Sequence, residues 1–254
     1  MLNGTLDPEL AVQVHGLGFR GVRCGPEGVA AARAAGLRPL VVVMSIDEID
    51  TWAEGLDLEF MNEPDGTVDV QMTPQLYAAH AYRFIHKCRQ FHARPWVGVV
   101  SNTHAAGLEW LRQMLLVLRP DPSVGVTIHR YHPPGARGWW TPHVGASSRA
   151  NEVTQFREIV GDRPWGISEF GYHTAPQIKV KWLPKWWPGN TWRWTDEQVA
   201  ENVRQEWTFW AAQGAEFAVL YQINDGPTNT REDRYGIRYL DGAWKPVAGV
   251  LRAA

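Results

Sequence analysis

Short apolar runs of strand length recur along the chain at residues 19–23, 39–44, 56–61, 96–100, 125–131, 165–170 and 217–223. Amphipathic helical patterns lie between them. After Thr73-Pro74, the residues Tyr77, Ala81, Phe84, Ile85, Cys88 and Phe91 recur at three- and four-residue spacing, which puts them on one helical face. A second helix start reads Thr195-Asp196-Glu197-Gln198, a capping-box pattern, and Val199, Val203, Trp207 and Trp210 then form its apolar stripe. Strand and helix alternate with no change in composition, no Gly/Ser linker and no internal repeat, so the pattern predicts one α/β domain over residues 1–254 with a parallel sheet. A (β/α)8 barrel of the TIM type is the natural architecture at this length. Residues 7–16 already read as the first helix, which leaves only residues 1–5 for strand one, so that strand is expected to be short or missing. A doubly wound nucleotide-binding sheet has little support, because no Gly-x-Gly-x-x-Gly follows any of the runs.

Composition narrows the function classes. A chain of 254 residues can bury about three-quarters of its unfolded surface, enough for a large core. With 25 Lys+Arg against 27 Asp+Glu and no long basic run, nucleic acid is not an expected partner. The longest apolar stretch, residues 39–44, is too short to cross a bilayer, and Met1-Leu2-Asn3-Gly4 lacks the features of a secretion signal. A membrane is therefore not an expected partner, and the protein is read as cytosolic or as a secreted form whose leader has been removed. Cys24 and Cys88 are expected to be buried free thiols. The 14 Trp exceed what a core needs, since a buried indole N–H requires a partner, so some are expected to face a ligand.

Two carboxylates stand out. In Asp57-Leu58-Glu59-Phe60-Met61-Asn62-Glu63-Pro64, the two-residue strand period places Asp57, Glu59, Met61 and Glu63 on one face, with Glu63 where the strand should end. In Trp165-Gly166-Ile167-Ser168-Glu169-Phe170-Gly171, Glu169 closes another apolar run and Gly171 is read as freeing the backbone to turn away. In a parallel barrel the C-terminal strand ends converge on one face, so Glu63 and Glu169 can meet despite their distance in sequence.

These segments resemble those of a known group. Asn62-Glu63-Pro64 after strand four and Ser168-Glu169-Phe170-Gly171 after strand seven resemble the acid/base and nucleophile signatures of the retaining β-glycoside hydrolases of clan A, which are (β/α)8 barrels. The resemblance runs in order from about residue 19 to residue 244, without selecting a family in the clan. Arg23 after strand two and His129-Arg130-Tyr131 at strand six stand where clan members carry an arginine and a histidine–tyrosine pair. The chain departs from the pattern after strand three, where Met44-Ser45 replaces a frequent histidine, and at strand eight, where Tyr221-Gln222-Ile223-Asn224 replaces a tryptophan.

The resemblance implies cleavage of a β-glycosidic bond by double displacement, which needs a carboxylic acid and a carboxylate roughly 5–5.5 Å apart. Glu63 would be the acid/base and Glu169 the nucleophile, with Arg23 and the Tyr131 hydroxyl favouring the charged form of Glu169. Asn62 would bond the sugar 2-hydroxyl, and His129, Tyr131, Arg23 and Gln222 would line the substrate site. Glu59 reads as the buried ionic partner of Arg23 rather than a reactant. No cofactor is expected. No metal is expected either: His80, His86 and His92 scatter around their helix, while His129 and His132 lie on opposite strand faces.

After strand seven, residues 173–194 carry Trp182, Trp186, Trp187, Trp192 and Trp194, and Trp139-Trp140 follow strand six. Indoles stack under the apolar faces of pyranose rings; Trp140 and Trp187 are assigned to subsites, with the remaining indoles shared between subsites and packing. Several stacking positions imply a β-linked oligo- or polysaccharide substrate and endo action. Lys179, Lys181, Lys185 and Arg193 are read as a solvated loop face, with contact to an acidic glycan as the lesser alternative. Two competing readings remain: a non-catalytic carbohydrate-binding barrel and a metal-dependent hydrolase on the same fold.

Overall fold

The computed structural model describes residues 2–66, 71–101, 105–131, 146–175, 177–178, 191–228 and 232–253. Its strands are β1 (Leu2–Asn3), β2 (Gly21–Cys24), β3 (Arg38–Val43), β4 (Asp57–Phe60), β5 (Arg94–Val100), β6 (Gly125–Tyr131), β7 (Trp165–Gly171), β8 (Gln177–Ile178), β9 (Thr191–Trp192) and β10 (Ala218–Tyr221). Eight of them form a closed barrel in the order β1-β10-β7-β6-β5-β4-β3-β2, and every neighbouring pair is parallel. This is the TIM-type architecture. The short first strand is present as two residues: Leu2 pairs with Leu220 and Val22, and Asn3 pairs with Tyr221 and Arg23. Those pairings close the ring. The hairpin β8–β9 stands apart as an antiparallel pair.

The helices are α1 (Pro8–Gly16), α2 (Val29–Ala34), α3 (Pro74–Gln90), α4 (Ala105–Leu118), α5 (Ala146–Val160) and α6 (Asp196–Ala212). Between β3 and β4 the connection consists of two 3-10 turns, Ile46–Glu48 and Thr51–Ala53, in place of a helix. Helix starts follow local chemistry. The Thr73 hydroxyl accepts from the Leu76 amide at 3.2 Å, satisfying one orphan donor of the first turn of α3. In α6 the box is reciprocal, with Gln198 N donating to Thr195 Oγ1 at 3.2 Å and Thr195 N to Gln198 Oε1 at 2.9 Å. Each stripe then buries as its spacing requires. Tyr77, Ala81, Phe84, Ile85 and Cys88 of α3 are buried, as are Val199, Val203 and Trp210 of α6. At about 1.5–3 kcal/mol per large side chain, this burial rather than helix propensity holds the outer ring to the barrel.

The barrel interior changes character along its axis. Its floor is apolar, made by Leu40, Trp96 and Val219 with Phe217 packed against them. The Trp96 indole N–H donates to Asp57 at 2.9 Å. A Cβ on Gly125 would lie 2.1 Å from the Trp96 ring, so only glycine lets the indole lie across the floor. Above it the buried side chains are polar: Glu59, Thr127, His129, Arg23 and Glu169. Charges inside a barrel are costly unless paired, which marks this end as the functional one.

Both cysteines are free and buried. Burial pushes the Cys24 and Cys88 thiols up to about 12, so neither is a ready nucleophile. No helix among the described residues is long and apolar enough to cross a membrane.

Candidate active site

Each strand end contributes a side chain for a local reason. On β6 the two-residue alternation turns His129 and Tyr131 to the same side, while Arg130 between them donates back to the Tyr131 carbonyl at 2.9 Å. On β7 the register carries one extra residue: Ile128 pairs with Ile167 but His129 pairs with Glu169, and against β10 the register slips over the same stretch. This bulge re-aims the strand beside Glu169. Gly171 stays in β7 instead of turning away. A Cβ there would meet the Tyr221 carbonyl oxygen at 2.6 Å and the Tyr235 ring at 3.0 Å, so the residue serves a close approach.

Glu63 reaches the site by a different route from the one its spacing predicts. Strand β4 ends at Phe60, and Met61 (φ 63°) and Glu63 (φ 46°) then adopt left-handed backbone. Non-glycine residues there cost of order 1–3 kcal/mol each and persist only where surrounding bonds hold them. Met61 N donates to the Val43 carbonyl at 2.9 Å, and Gly66 N to the Glu63 carbonyl at 3.1 Å. The Asp65 carboxylate accepts from Ser101 N at 2.8 Å and Ser101 Oγ at 3.0 Å, clamping this loop to the end of β5. Burial pushes the Asp65 carboxyl above the usual range, with the nearby Glu63 charge adding to the rise and the Ser101 bonds opposing it.

The side chains converge. Glu63 Oε1 lies 2.9 Å from His129 Nδ1, and Glu169 Oε2 lies 3.5 Å from the same nitrogen. An oxygen of each glutamate and the histidine nitrogen all fall within 4.8 Å of one another. Tyr131 donates its hydroxyl proton to Glu169 Oε2, and Arg23 Nη1 pairs with Glu169 Oε1. Arg23 also donates through Nε to Glu59 at 2.5 Å and through Nη2 to Asn62 Oδ1 at 2.9 Å. Because a guanidinium can only donate, Arg23 fixes the Asn62 amide with its oxygen inward and leaves the NH2 group as the donor on offer. Glu63, Glu169 and Arg23 are buried, and His129 is fully so. The histidine therefore bridges the two glutamates rather than forming an open sugar-facing wall. A cavity of about 280 Å³ opens beside Glu169, with Arg23, Asn62, Thr5 and Glu27 on its walls.

Arg23 is the central charge. Burial alone would lower its affinity for a proton, but the Glu59 and then the Glu169 charges outweigh that and raise it above the ordinary value. Tyr131 is pushed well above a free phenol by burial, then by the Glu169 charge and the hydrogen bond to it, so it remains a donor. Replacing Arg23 with methionine strands two buried carboxylates. The expected cost is about 3–5 kcal/mol of folding stability, measured as a drop in the denaturation midpoint.

The structure thus brings Glu63, Glu169, Asn62, His129, Tyr131 and Arg23 together. Gln222 follows β10, where its backbone N–H donates to the Tyr235 carbonyl at 3.4 Å and its backbone carbonyl accepts from Ile237 N at 3.0 Å. Trp140 and Trp187 lie outside the described residues, as do Trp139, Trp182, Trp186, His132 and the three loop lysines. The described indoles are largely packing residues: Trp96, Trp165 and Trp210 are fully buried, and Trp52, Trp110, Trp194, Trp207 and Trp244 lean on the core. The sequence reading gave Tyr221 no site role beyond its place at strand eight and did not single out Tyr235. Both rings flank Tyr131, at centroid distances of 5.9 and 5.3 Å. Tyr235 sits in an irregular segment where no periodicity could single it out.

Among the described residues, Glu63, His129 and Glu169 are also the group whose ligand atoms lie close enough to hold a metal ion. Both oxygens of Glu169 already receive a donor, one from Arg23 and one from Tyr131. An ion on Glu169 would have to displace or share one of them.

No protein-family model matches the sequence, and no curated protein matches it. The fold does have solved counterparts. A glycoside hydrolase family 17 β-1,3-glucanosyltransferase from Rhizomucor miehei superposes with a TM-score of 0.66 at 13% identity, covering 98% of this chain and 96% of its own. A mutant family GH128 (subgroup I) endo-β-1,3-glucanase from Amycolatopsis mediterranei, in complex with laminarihexaose, gives 0.67 at 13% identity, covering 100% and 98%. A GH128 (subgroup II) endo-β-1,3-glucanase from Sorangium cellulosum gives 0.65 at 14%, covering 98% of each chain. The chain has the barrel of these glycoside hydrolases over its whole length.

Proposed function

We propose that this chain is a retaining β-glycoside hydrolase with endo action on a β-linked glucan, working by double displacement without a cofactor. One observation carries the reading: an oxygen of Glu63 and an oxygen of Glu169 lie within 4.8 Å of each other, both beside His129 Nδ1. Retaining enzymes need roughly 5–5.5 Å between the two carboxyl groups, whereas inverting enzymes leave roughly 6.5–9.5 Å for a water. The charge balance supports the division of labour. Glu59 and Glu169 share the buried Arg23 guanidinium, whereas Glu63 rests against His129 Nδ1. Glu169 holds the Arg23 and Tyr131 donors and is the ionised nucleophile; Glu63 carries the proton.

In the first step Glu63 gives its proton to the departing glycosidic oxygen while a Glu169 oxygen bonds to the anomeric carbon, forming an ester. The negative charge of Glu169 is then gone. Glu63, left as a carboxylate, takes a proton from the incoming water, whose oxygen displaces Glu169 and restores the original configuration. The Asn62 NH2 group is placed to meet the hydroxyl next to the reacting carbon, a contact that strengthens in the transition state. The described portion of the single chain supplies this whole set from four segments of one barrel.

The fold likeness makes β-1,3-glucan the first substrate to test, because the solved counterparts are β-1,3-glucanases and a β-1,3-glucanosyltransferase, one of them bound to laminarihexaose. The test is a screen of laminarin, other β-linked glucans and aryl β-glycosides, with product anomers followed by NMR. The expected outcome is internal cleavage of laminari-oligosaccharides with the β-anomer formed first and no loss of activity in a chelator. An α-anomer formed first excludes retention. Oligosaccharide binding without new reducing ends establishes a carbohydrate-binding barrel instead, and loss of activity in chelator restored by a divalent cation establishes the metal-dependent reading.

A further inference from the structure

The double-displacement reading assigns work to Glu169 and Tyr131 but none to the chain that follows Gln222. That segment is unusually well anchored. Asp225 is buried and accepts from Lys245 Nζ at 2.8 Å and from Arg234 Nη1 at 3.3 Å, and the lysine is buried with it. Asp225 N donates to the Arg238 carbonyl at 2.8 Å, and Lys245 N donates to the Ile237 carbonyl at 2.9 Å. A Cβ on Gly236 would lie 2.1 Å from the Asp225 amide nitrogen, so the strap crosses its own base at contact distance. A buried ion pair contributes little net stability against an apolar pair of similar volume, yet breaking it is costly, so its clearest effect is to hold one arrangement.

What it holds is Tyr235, 3% exposed and beside Arg234. The ring packs edge-on against Tyr131 at 5.3 Å, Tyr221 at 5.7 Å and His173 at 5.2 Å, while Gly171 leaves room on the β7 side. Of the described aromatic rings around Tyr131, this one is nearest: His129 is at 6.3 Å and Tyr221 at 5.9 Å. The Tyr131 hydroxyl in turn donates to Glu169. We propose that Tyr235 is a positioning residue for the nucleophile, and that the strap tied by Asp225 and Lys245 braces Glu169 through the Tyr131 ring. Tyr235 touches no reacting atom. It keeps the Tyr131 phenol in the one orientation that reaches Glu169 Oε2, and a displaced nucleophile loses rate steeply with distance.

The proposal rests on the double-displacement reading, and the test separates the two. The probe is 2,4-dinitrophenyl 2-deoxy-2-fluoro-β-laminaribioside. A Glu169 oxygen bonds to its anomeric carbon while the bond to the aryl oxygen breaks and dinitrophenolate leaves with the electron pair. No proton from Glu63 is needed, and the fluorine slows hydrolysis of the ester, so the labelling rate reads the nucleophile alone. In Tyr235→Ala, labelling and kcat on laminarihexaose are both expected to fall by roughly 10²-fold, with KM moving less than about threefold. Tyr235→Phe, which keeps the ring, is expected to restore both. Should the alanine variant fail to fold, Tyr235→Leu, which keeps bulk without a flat face, is read by the same criteria. Labelling at the wild-type rate in the alanine or leucine variant, a loss carried only by KM, or a phenylalanine variant as slow as the alanine variant overturns the positioning role. Wild-type protein that cleaves glucan but is never labelled at Glu169 overturns the nucleophile assignment beneath it.

Discussion

Glu169→Ala is expected to lower kcat on a β-glucan by at least roughly 10⁴-fold, the scale on which deleting a covalent nucleophile acts. The fold should survive. Arg23 loses one partner but keeps Glu59 at 2.5 Å and Asn62 at 2.9 Å, so its buried charge remains compensated. The thermal midpoint of the variant is therefore expected to stay close to that of the wild type, in contrast to the loss predicted for Arg23→Met. Removing the side chain also leaves a space on the face opposite the leaving group. A small anion such as azide can enter it and attack an activated aryl β-glycoside directly, giving the α-glycosyl azide. Recovery of turnover in azide with that configuration, followed by NMR, identifies the face of the sugar on which Glu169 works. An alanine variant that hydrolyses glucan at the wild-type rate removes Glu169 from the mechanism.

Seven of the eight barrel strands were legible because they are largely buried and read as apolar runs; residues 125–131 match β6 end to end. His129 and Tyr131 came from the resemblance to the clan, and the alternation of β6 then turns both to one side. Other features depend on relations that no local pattern carries. Ring closure rests on two residues, Leu2 and Asn3, whose strand character comes from register with β2 and β10 rather than from their own sequence. Met61 and Glu63 occupy left-handed backbone that nothing in their side-chain types announces, so extrapolating the strand period brought Glu63 to the strand mouth through the wrong local structure. The one-residue bulge in β7 is likewise invisible without its neighbours. Tyr235 and the Asp65–Ser101 clamp belong to irregular segments, where contacts are set by tertiary packing. The described indoles report volume more than chemistry, since most of them pack in or against the core, while Trp140 and Trp187 lie outside the described residues.

Replacing Glu63 tests the other half of the site, and the expected result depends on the leaving group. On a glucan, whose departing alcohol is a poor anion, Glu63→Gln loses both protonation of the glycosidic oxygen and deprotonation of water, and kcat should fall by roughly 10²–10⁴-fold or more, the range for a positioned acid/base. On a dinitrophenyl β-glycoside the first step needs no proton and persists, so the ester on Glu169 forms and then waits for a water that nothing activates. A burst of dinitrophenolate equal to the enzyme concentration, followed by slow turnover, is the expected trace. With Glu63→Ala, azide should accelerate that slow phase because it attacks the ester without base help, and it should give the β-glycosyl azide. The two alanine variants thus trap the same anion in opposite configurations, which follows only if the carboxylates flank the anomeric carbon from opposite faces. An equal loss on glucan and on the dinitrophenyl glycoside, with no burst, would mean that Glu63 holds the fold of the site through His129 Nδ1 and moves no proton.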